Sequence, residues 1–510
     1  MFARIGLIGG IALFVFILLA PPSLPGLDAE IAQRLNTTVD DPRVGEVLRS
    51  AHATLALAAL VVAWWITEAI PIPVTALLPG FLLPMLHVTG VANGNLRAFS
   101  GSVSFAAYAN PVIFLFLAGF LLAGGMSKTG LDRRISRAIL NRPAVRRSAG
   151  RVLLAVILVT GGFSMWVSNT ATAAMMLPIA AGILAQLGEK PGQSRLGAAL
   201  MMGVAWAASL GGVGTLIGTP PNGIAVSILR AHELQDIHFI SWLRWGLPVS
   251  ILGLLVGWAV LMILFRPRFP TGYSLESPRE ELEPFTVAQG VTLGVFCLAI
   301  LLWVSQPFWR SILPETIYPL LERIGENEIA LLCAVLLFVL PADRHWRPVL
   351  DWRDSRYVDW GTLLLFGGGL VLASALFDTG LASWFSTRVT SQFGGAPAWV
   401  YLLVVIYLSS FLTELVSNTA MAGMLTPLLL ALAPGLGINP IPLCIAAVLA
   451  SSLAFMLPMG TPPNALLYGT GYFTMGQMAR AGVVMNLVSG LIVALVMLAL
   501  SAVGVLPLTR

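Results

Sequence analysis

Charge is what this 510-residue chain most lacks: 10% of its residues are charged, against 57% hydrophobic. A soluble domain carries about 25% charged residues, so a soluble globule is excluded and most of the chain must meet lipid or other buried helices. Cysteine is nearly absent. Cys297, Cys333 and Cys444 are the only three; all lie in apolar segments without metal-ligand spacing, which removes a disulfide scaffold and a thiolate metal centre and leaves packing roles. The five histidines fall mostly at span ends or in loops. No His-Glu-x-x-His or Gly-x-Ser-x-Gly occurs, so metalloprotease and serine-hydrolase chemistry within the membrane have no residues to run on. The net charge is +5, but the arginines sit in short loops between apolar spans. That pattern orients a membrane protein and does not describe a nucleic-acid surface.

What the sequence has in abundance is apolar runs. Residues 5–20, between Arg4 and Pro21-Pro22, read as a cleaved signal peptide or an uncleaved first helix; the second is favoured because proline stands where a small-residue cleavage site would. Residues 22–50 are polar and show no periodicity. Spans are expected near 53–69, 72–86, 110–126, 197–217, 246–265, 288–305, 328–341, 358–376 and 483–507. The joint of the first two, Glu68-Ala-Ile-Pro-Ile-Pro73, holds a carboxylate that is functional or simply an end-of-helix group near water. Residues 131–141, arginine-rich with Leu131, Ile135, Ala138 and Ile139 at helical spacing, predict a basic helix lying on the membrane surface. Basic loops at 131–151, 266–286 and 342–357 mark the cytoplasmic side.

One stretch appears twice. Ser168-Asn169-Thr170 sits between apolar arms at 152–167 and 171–187, each shorter than the about 20 residues of a spanning helix. Ser417-Asn418-Thr419 repeats the arrangement within 398–434. Each predicts a re-entrant hairpin, its irregular tip tolerated at membrane depth only where it is enclosed by protein or lines a cavity. Each hairpin is followed by a broken helix, 197–230 and 441–470, interrupted at Gly218-Thr-Pro-Pro-Asn222 and Gly460-Thr-Pro-Pro-Asn464. Lys128 and Asp378, which end parallel Phe-rich runs, stand 250 residues apart, Ser168 and Ser417 249, Gly218 and Gly460 242. Five crossings between the hairpins put the second in from the opposite face. This is an inverted repeat about a pseudo-two-fold axis in the membrane plane, as in many secondary transporters, with the N-terminus cytoplasmic and the C-terminus across the inner membrane.

The tips carry defined chemistry. The N-terminal end of a hairpin's second arm presents free N–H groups and a positive dipole to an anion. The hydroxyls of Ser168, Thr170, Ser417 and Thr419 can donate to a carboxylate, while Asn169 and Asn418 can donate through nitrogen and ligate a cation through oxygen. The double prolines leave carbonyls unpaired, which suits an alkali cation. No Arg or Lys lies in either tip or break, so a buried dianion needs countercharge from elsewhere, and co-bound sodium supplies it. Glu414, the only acidic residue in a hairpin, either ligates a cation or proton or serves as a structural hydrogen-bonding group.

At these residues the chain resembles the divalent anion/sodium symporter family of di- and tricarboxylate carriers. The matching pieces are Trp65-Ile-Thr-Glu-Ala-Ile-Pro-Ile-Pro-Val-Thr-Ala-Leu-Leu-Pro79, Ser164 to Pro178, Gly214 to Asn222, Thr413 to Thr419 and Phe455 to Asn464. The resemblance implies an all-α polytopic fold of about 11 transmembrane helices plus the two hairpins. It also implies a homodimer whose scaffold domain holds a transport domain that moves as an elevator. The implied partition is 1–107, N-terminal scaffold helices; 108–265, first repeat core; 266–356, cytoplasmic loop and linking spans; 357–510, second repeat core. By matching position, Asn169, Thr170, Asn418 and Thr419 contact substrate carboxylates, with Thr219 and Thr461 nearby. One sodium sits among Ser164, Ser168, Asn169 and the Gly218 backbone, another among Thr413, Ser417, Asn418 and the Gly460 backbone. The expected activity is sodium-coupled symport of a C4-dicarboxylate. A sodium-independent exchanger and a carrier of citrate or sulfate are the alternatives within transport, and a channel or intramembrane enzyme those outside it.

Overall fold

The computed structural model describes residues 2–21, 24–232, 237–270 and 284–509. The chain enters through α1 (Phe2–Leu19), α2 (Leu27–Arg34), α3 (Pro42–Thr67), α4 (Ile72–Thr75) and α5 (Leu78–Met85). Next come β1 (Thr89–Ala92), β2 (Asn95–Ala98), α6 (Gly101–Ala106), α7 (Pro111–Thr129), α8 (Leu131–Leu140) and α9 (Pro143–Arg146). The first hairpin and broken helix are α10 (Ala149–Ser164), α11 (Asn169–Gln186), α12 (Arg195–Gly212) and α13 (Pro220–Ala231). Then follow α14 (Phe239–Phe265), α15 (Val287–Ser305), α16 (Trp309–Ile312), α17 (Tyr318–Leu321) and α18 (Glu326–Val339). The second repeat is α19 (Trp360–Asp378), α20 (Leu381–Phe393), α21 (Ala398–Leu412), α22 (Asn418–Gly435), α23 (Pro440–Ser451), α24 (Pro462–Tyr468) and α25 (Met475–Ala502). Among the described residues, six helical stretches are long and apolar enough to cross a membrane: Pro42–Thr67, Gly101–Thr129, Phe239–Phe265, Val287–Ile312, Trp360–Asp378 and Met475–Ala502. This is a multi-pass membrane protein.

The structure departs from the sequence expectations at definite places. The fold is not purely helical. β1 and β2 pair antiparallel, Ala92 opposite Asn95, around Asn93-Gly94, both with positive φ. An Asn-Gly pair is the strongest short hairpin signal because both residues tolerate the left-handed turn. The polar stretch 22–50 also has structure. α2 buries Leu27 and Ile31 one turn apart, and α3 begins at Pro42, where the Asp41 carboxylate accepts the Arg43 N–H at 2.9 Å and proline occupies a first-turn site it suits. No single span covers 72–86: prolines 73, 79 and 84 divide it into α4 and α5. Glu68 is exposed in a left-handed conformation at the end of α3, the end-of-helix alternative. α18 has only 14 residues, about 21 Å at 1.5 Å per residue, short of the about 30 Å hydrocarbon core. α25 starts at Met475 because Thr474 and Gln477 form a capping box, eight residues ahead of the expected 483. Most of the 266–286 loop lies outside the described residues.

α20 was not expected, yet it extends the repeat. α7 ends at Gly130 (φ 67°) and α8 follows; α19 runs into Gly380 (φ 82°) and α20 follows. Phe116 and Phe366, 250 positions apart, pack their rings at a tilt of 52° with centroids 4.9 Å apart, so equivalent residues of the two copies meet. A Cβ on Gly223 would fall 2.2 Å from the Phe116 ring; only glycine lets both rings close over α13. Within the first copy, α10 lies tightly against α12, where a Cβ on Gly211 would come 2.2 Å from the Gly161 carbonyl oxygen. Between copies the packing crosses over: α11 contacts α24, and α22 contacts α13. The second arm of each hairpin therefore packs against the other copy's broken helix as well as its own.

Candidate substrate and cation site

The two tips have the same local construction. Ser168 precedes α11 with φ −55° and ψ 144°, Ser417 precedes α22 with φ −52° and ψ 130°. The Ser168 side chain accepts the Ala171 N–H at 3.3 Å, whereas Ser417 makes no such bond. In both arms the first N–H groups, those of Asn169 and Thr170 and of Asn418 and Thr419, have no carbonyl four residues back within the helix. Thr170 is exposed, and Ser168, Asn169, Ser417, Asn418 and Thr419 are half-buried. The donors are thus within reach of a solute.

Beneath each tip lies a matched set of oxygens. Buried Ser164 places Oγ 2.8 Å from Asn169 Oδ1 and 2.6 Å from the Ala208 carbonyl. Buried Thr413 places Oγ1 2.6 Å from Asn418 Oδ1 and 2.6 Å from the Ser451 carbonyl. A hydroxyl has one hydrogen and serves one acceptor at a time. With the two oxygens that converge on it, the hydroxyl makes a three-oxygen cluster of the hard kind that takes an alkali cation. Around Gly218, a Cβ would meet the Gly212 carbonyl at 2.5 Å and those of Ser164 and Met165 at 3.0 Å, so more carbonyls crowd the place where the family resemblance implies the first sodium. Among the described residues no group of three His, Cys, Asp or Glu could hold a metal; hydroxyl, amide and carbonyl oxygens are what the site offers.

The breaks match as closely. Thr219 and Thr461 are buried and extended, at φ −146° and −147°. The Asn222 amide donates to the Gly212 and Thr215 carbonyls at 3.2 and 2.8 Å, and the Asn464 amide donates to those of Ala454 and Leu457 at 3.1 and 3.2 Å. These asparagines received no role from the sequence, although each closes the repeated Gly-Thr-Pro-Pro-Asn motif at the same spacing. Their function is to tie the irregular loop to the helix that follows it.

The copies differ in charge at Glu414, which has no acidic counterpart in the first. Glu414 is buried, and its oxygens accept the N–H groups of Phe455, Met456 and Leu457 at 2.7, 2.9 and 3.0 Å and the Asn486 amide at 2.9 Å. One of them would lie 2.8 Å from a Cβ on Gly460. The first copy has Met165 at this place, its carbonyl accepting the Thr215 hydroxyl. Side chain and backbone thus do the same work, fixing the loop before the double proline.

The profile described as the sodium:sulfate symporter transmembrane region matches residues 42–504. This chain belongs to that family. A protein named sodium-dependent dicarboxylate transporter SdcS from Staphylococcus saprophyticus is 37% identical over 457 residues, covering 87% of this chain and 84% of its own length. Proteins of the same name from Staphylococcus aureus are 35% identical over 460 residues, with the same coverage. The family resemblance read from the paired motifs is borne out, and its members transport rather than catalyse. Among solved structures, the Alcanivorax borkumensis YdaH transporter aligns with TM-score 0.56 at 14% identity over 89% of this chain and all of its own. Neisseria gonorrhoeae MtrF aligns with TM-score 0.55 at 16% identity, over 88% of this chain and 98% of its own. At such identities the likeness concerns the fold alone.

Proposed function

We propose that this protein is a secondary active transporter coupling sodium entry to uptake of a C4-dicarboxylate such as succinate. The observation that carries this is the matched pair of clusters, Ser164–Asn169–Ala208 carbonyl and Thr413–Asn418–Ser451 carbonyl, set under helix N-termini without a fixed positive charge. Two helix N-termini, one for each end, suit a solute with a carboxylate at each end. Asn169, Thr170, Asn418 and Thr419 hold the carboxylates, with Ser168, Ser417, Thr219 and Thr461 beside them. Sodium occupies two sites or more, one of Ser164, Ser168, Asn169 and Gly218, the other of Thr413, Ser417, Asn418 and Gly460. The cations cancel charge that would otherwise be costly to bury. The dicarboxylate named for the staphylococcal relatives supports the same choice of substrate.

The hairpins are re-entrant from opposite faces of the inner membrane, with the N-terminus cytoplasmic and the C-terminus outside. They move with the broken helices as one transport domain against a scaffold that forms a homodimer. The contact of α11 with α24 and of α22 with α13 favours a unit that travels whole. In proteoliposomes, labelled succinate is expected to accumulate only with an inward sodium gradient. Uptake indifferent to sodium would overturn symport in favour of exchange, and accumulation of labelled sulfate without accumulation of labelled succinate would move the substrate to inorganic anions.

A further inference from the structure

The arginine-rich segment that follows α7 has no part in the transport site, yet it builds a cavity. About 360 Å³ is enclosed between α8, α9 and α11. One wall is basic: Arg133, Arg137 and Arg146, with Asn141 beside them. The facing wall, on α11, is apolar from Met175 through Pro178, Ile179 and Ile183 and opens at Gly182, where an added Cβ would meet nothing within 4 Å. A cavity with guanidinium groups on one side and hydrocarbon on the other fits a molecule that is itself so divided.

Arg146 gives the sharper indication. Its Nε donates to the Leu140 carbonyl at 3.3 Å and its Nη2 to Asn141 Oδ1 at 2.5 Å, which fixes the guanidinium in place. Its Nη1 is enclosed and has no hydrogen-bond partner. A buried donor left unmade costs about 1–3 kcal/mol, and a guanidinium fork is shaped for the oxygens of a phosphate. Asp132, the carboxylate of α8, does not line the cavity; it is buried and accepts the Arg133 backbone N–H at 2.7 Å. The α8 carboxylate therefore stays outside the cavity.

We infer that this cavity is a binding site for one anionic phospholipid, its phosphodiester on Arg133 and Arg146 and an acyl chain along Met175–Ile183 of α11. An inorganic anion would answer the arginines but leave the apolar wall wet; a lipid answers both. Basic pockets between helices on the cytoplasmic side take anionic headgroups in this way. α11 begins at Asn169, so the bound lipid braces the arm that carries one tip. The site is defined without reference to what the protein transports.

The full-length protein, purified in mild detergent, is to be mixed with phosphatidylglycerol or phosphatidylcholine and examined by native mass spectrometry. The expected result is retention of one phosphatidylglycerol, favoured roughly tenfold over phosphatidylcholine. Arg133→Gln, a change at an exposed side chain, is expected to abolish most of that preference. Arg146→Gln should do the same, with its thermal unfolding recorded because it also severs the bonds to Leu140 and Asn141. Equal retention of both lipids, or an unchanged preference in Arg133→Gln, would overturn the site. About 10 mM inorganic phosphate should leave the lipid in place; displacement by phosphate at that level would overturn the lipid assignment.

Discussion

At the scale of single residues, the site is a matter of which oxygens are committed. Asn169 and Asn418 each place Oδ1 against a buried hydroxyl. Asn169→Ala and Asn418→Ala are each expected to lower succinate uptake by more than about a hundredfold while thermal unfolding of the purified protein stays near that of the unmodified chain. Near-normal uptake in both would refute the site. Glu414 is a different kind of residue. Its oxygens accept four hydrogen bonds, and a glutamine there must turn an N–H₂ toward other N–H donors. Glu414→Gln is expected to cost about 1–3 kcal/mol for each backbone donor left unmade, seen as a lowered melting temperature with a matching loss of uptake. Unchanged melting with weakened sodium dependence would instead make Glu414 a cation ligand.

At the scale of elements, small residues and end-of-helix charges decide the packing. The α10–α12 crossing is as close as Gly211 and the Gly161 backbone allow, the approach that glycine permits between membrane helices. Gly211→Ala forces backbone against backbone and should destabilise by about 1–3 kcal/mol, measurable by thermal unfolding. At the end of α7, Lys128 Nζ lies 2.5 Å from Asp354 Oδ2, in the turn before α19. Burial alone would raise the Asp354 pKa, but the bond to Lys128, the Asp351 N–H and the charges of Lys128 and Arg356 hold the carboxyl below its usual range. A depressed carboxyl pKa contributes stability above its unfolded value, about pH 4, and that contribution disappears as pH falls through the folded value. Lys128→Met should accordingly be less stable at neutral pH and lose less on acidification than the unmodified chain.

These elements also mark what the sequence could and could not yield. The breaks between α10 and α11 and between α21 and α22 were legible because Ser-Asn-Thr interrupts an apolar run at each, and the repeat because it fixed the spacing twice. α20 was not, since Leu381–Phe393 mixes polar and apolar residues without a clear stripe; only its neighbour Gly380, matching Gly130, betrayed it. The β1–β2 hairpin was written plainly in Asn93-Gly94 but passed over in a chain read as helical throughout. Asn222 and Asn464 stood in the motif, but only coordinates reveal that their amides close the loop carbonyls. The start of α25 turned on a two-residue cap, which hydropathy does not register.

At the scale of the whole molecule, the repeat makes a claim about sidedness. If the copies are inverted, the loop before α10 and the end of the chain face opposite compartments. In a background without native cysteines, Ser148→Cys is expected to react with an impermeant maleimide only after the cells are opened, and Thr509→Cys in intact cells stripped of their outer barrier. Labelling of both from the same side would refute the inversion.

The crossed seating of the arms has a consequence of its own. The helix that starts at Asn169 leans on the one that starts at Pro462, and the helix that starts at Asn418 leans on the one that starts at Pro220. On the proposed assignment of one ion to each tip, neither jaw tightens without shifting the bench on which the other is clamped, and loading becomes a joint event.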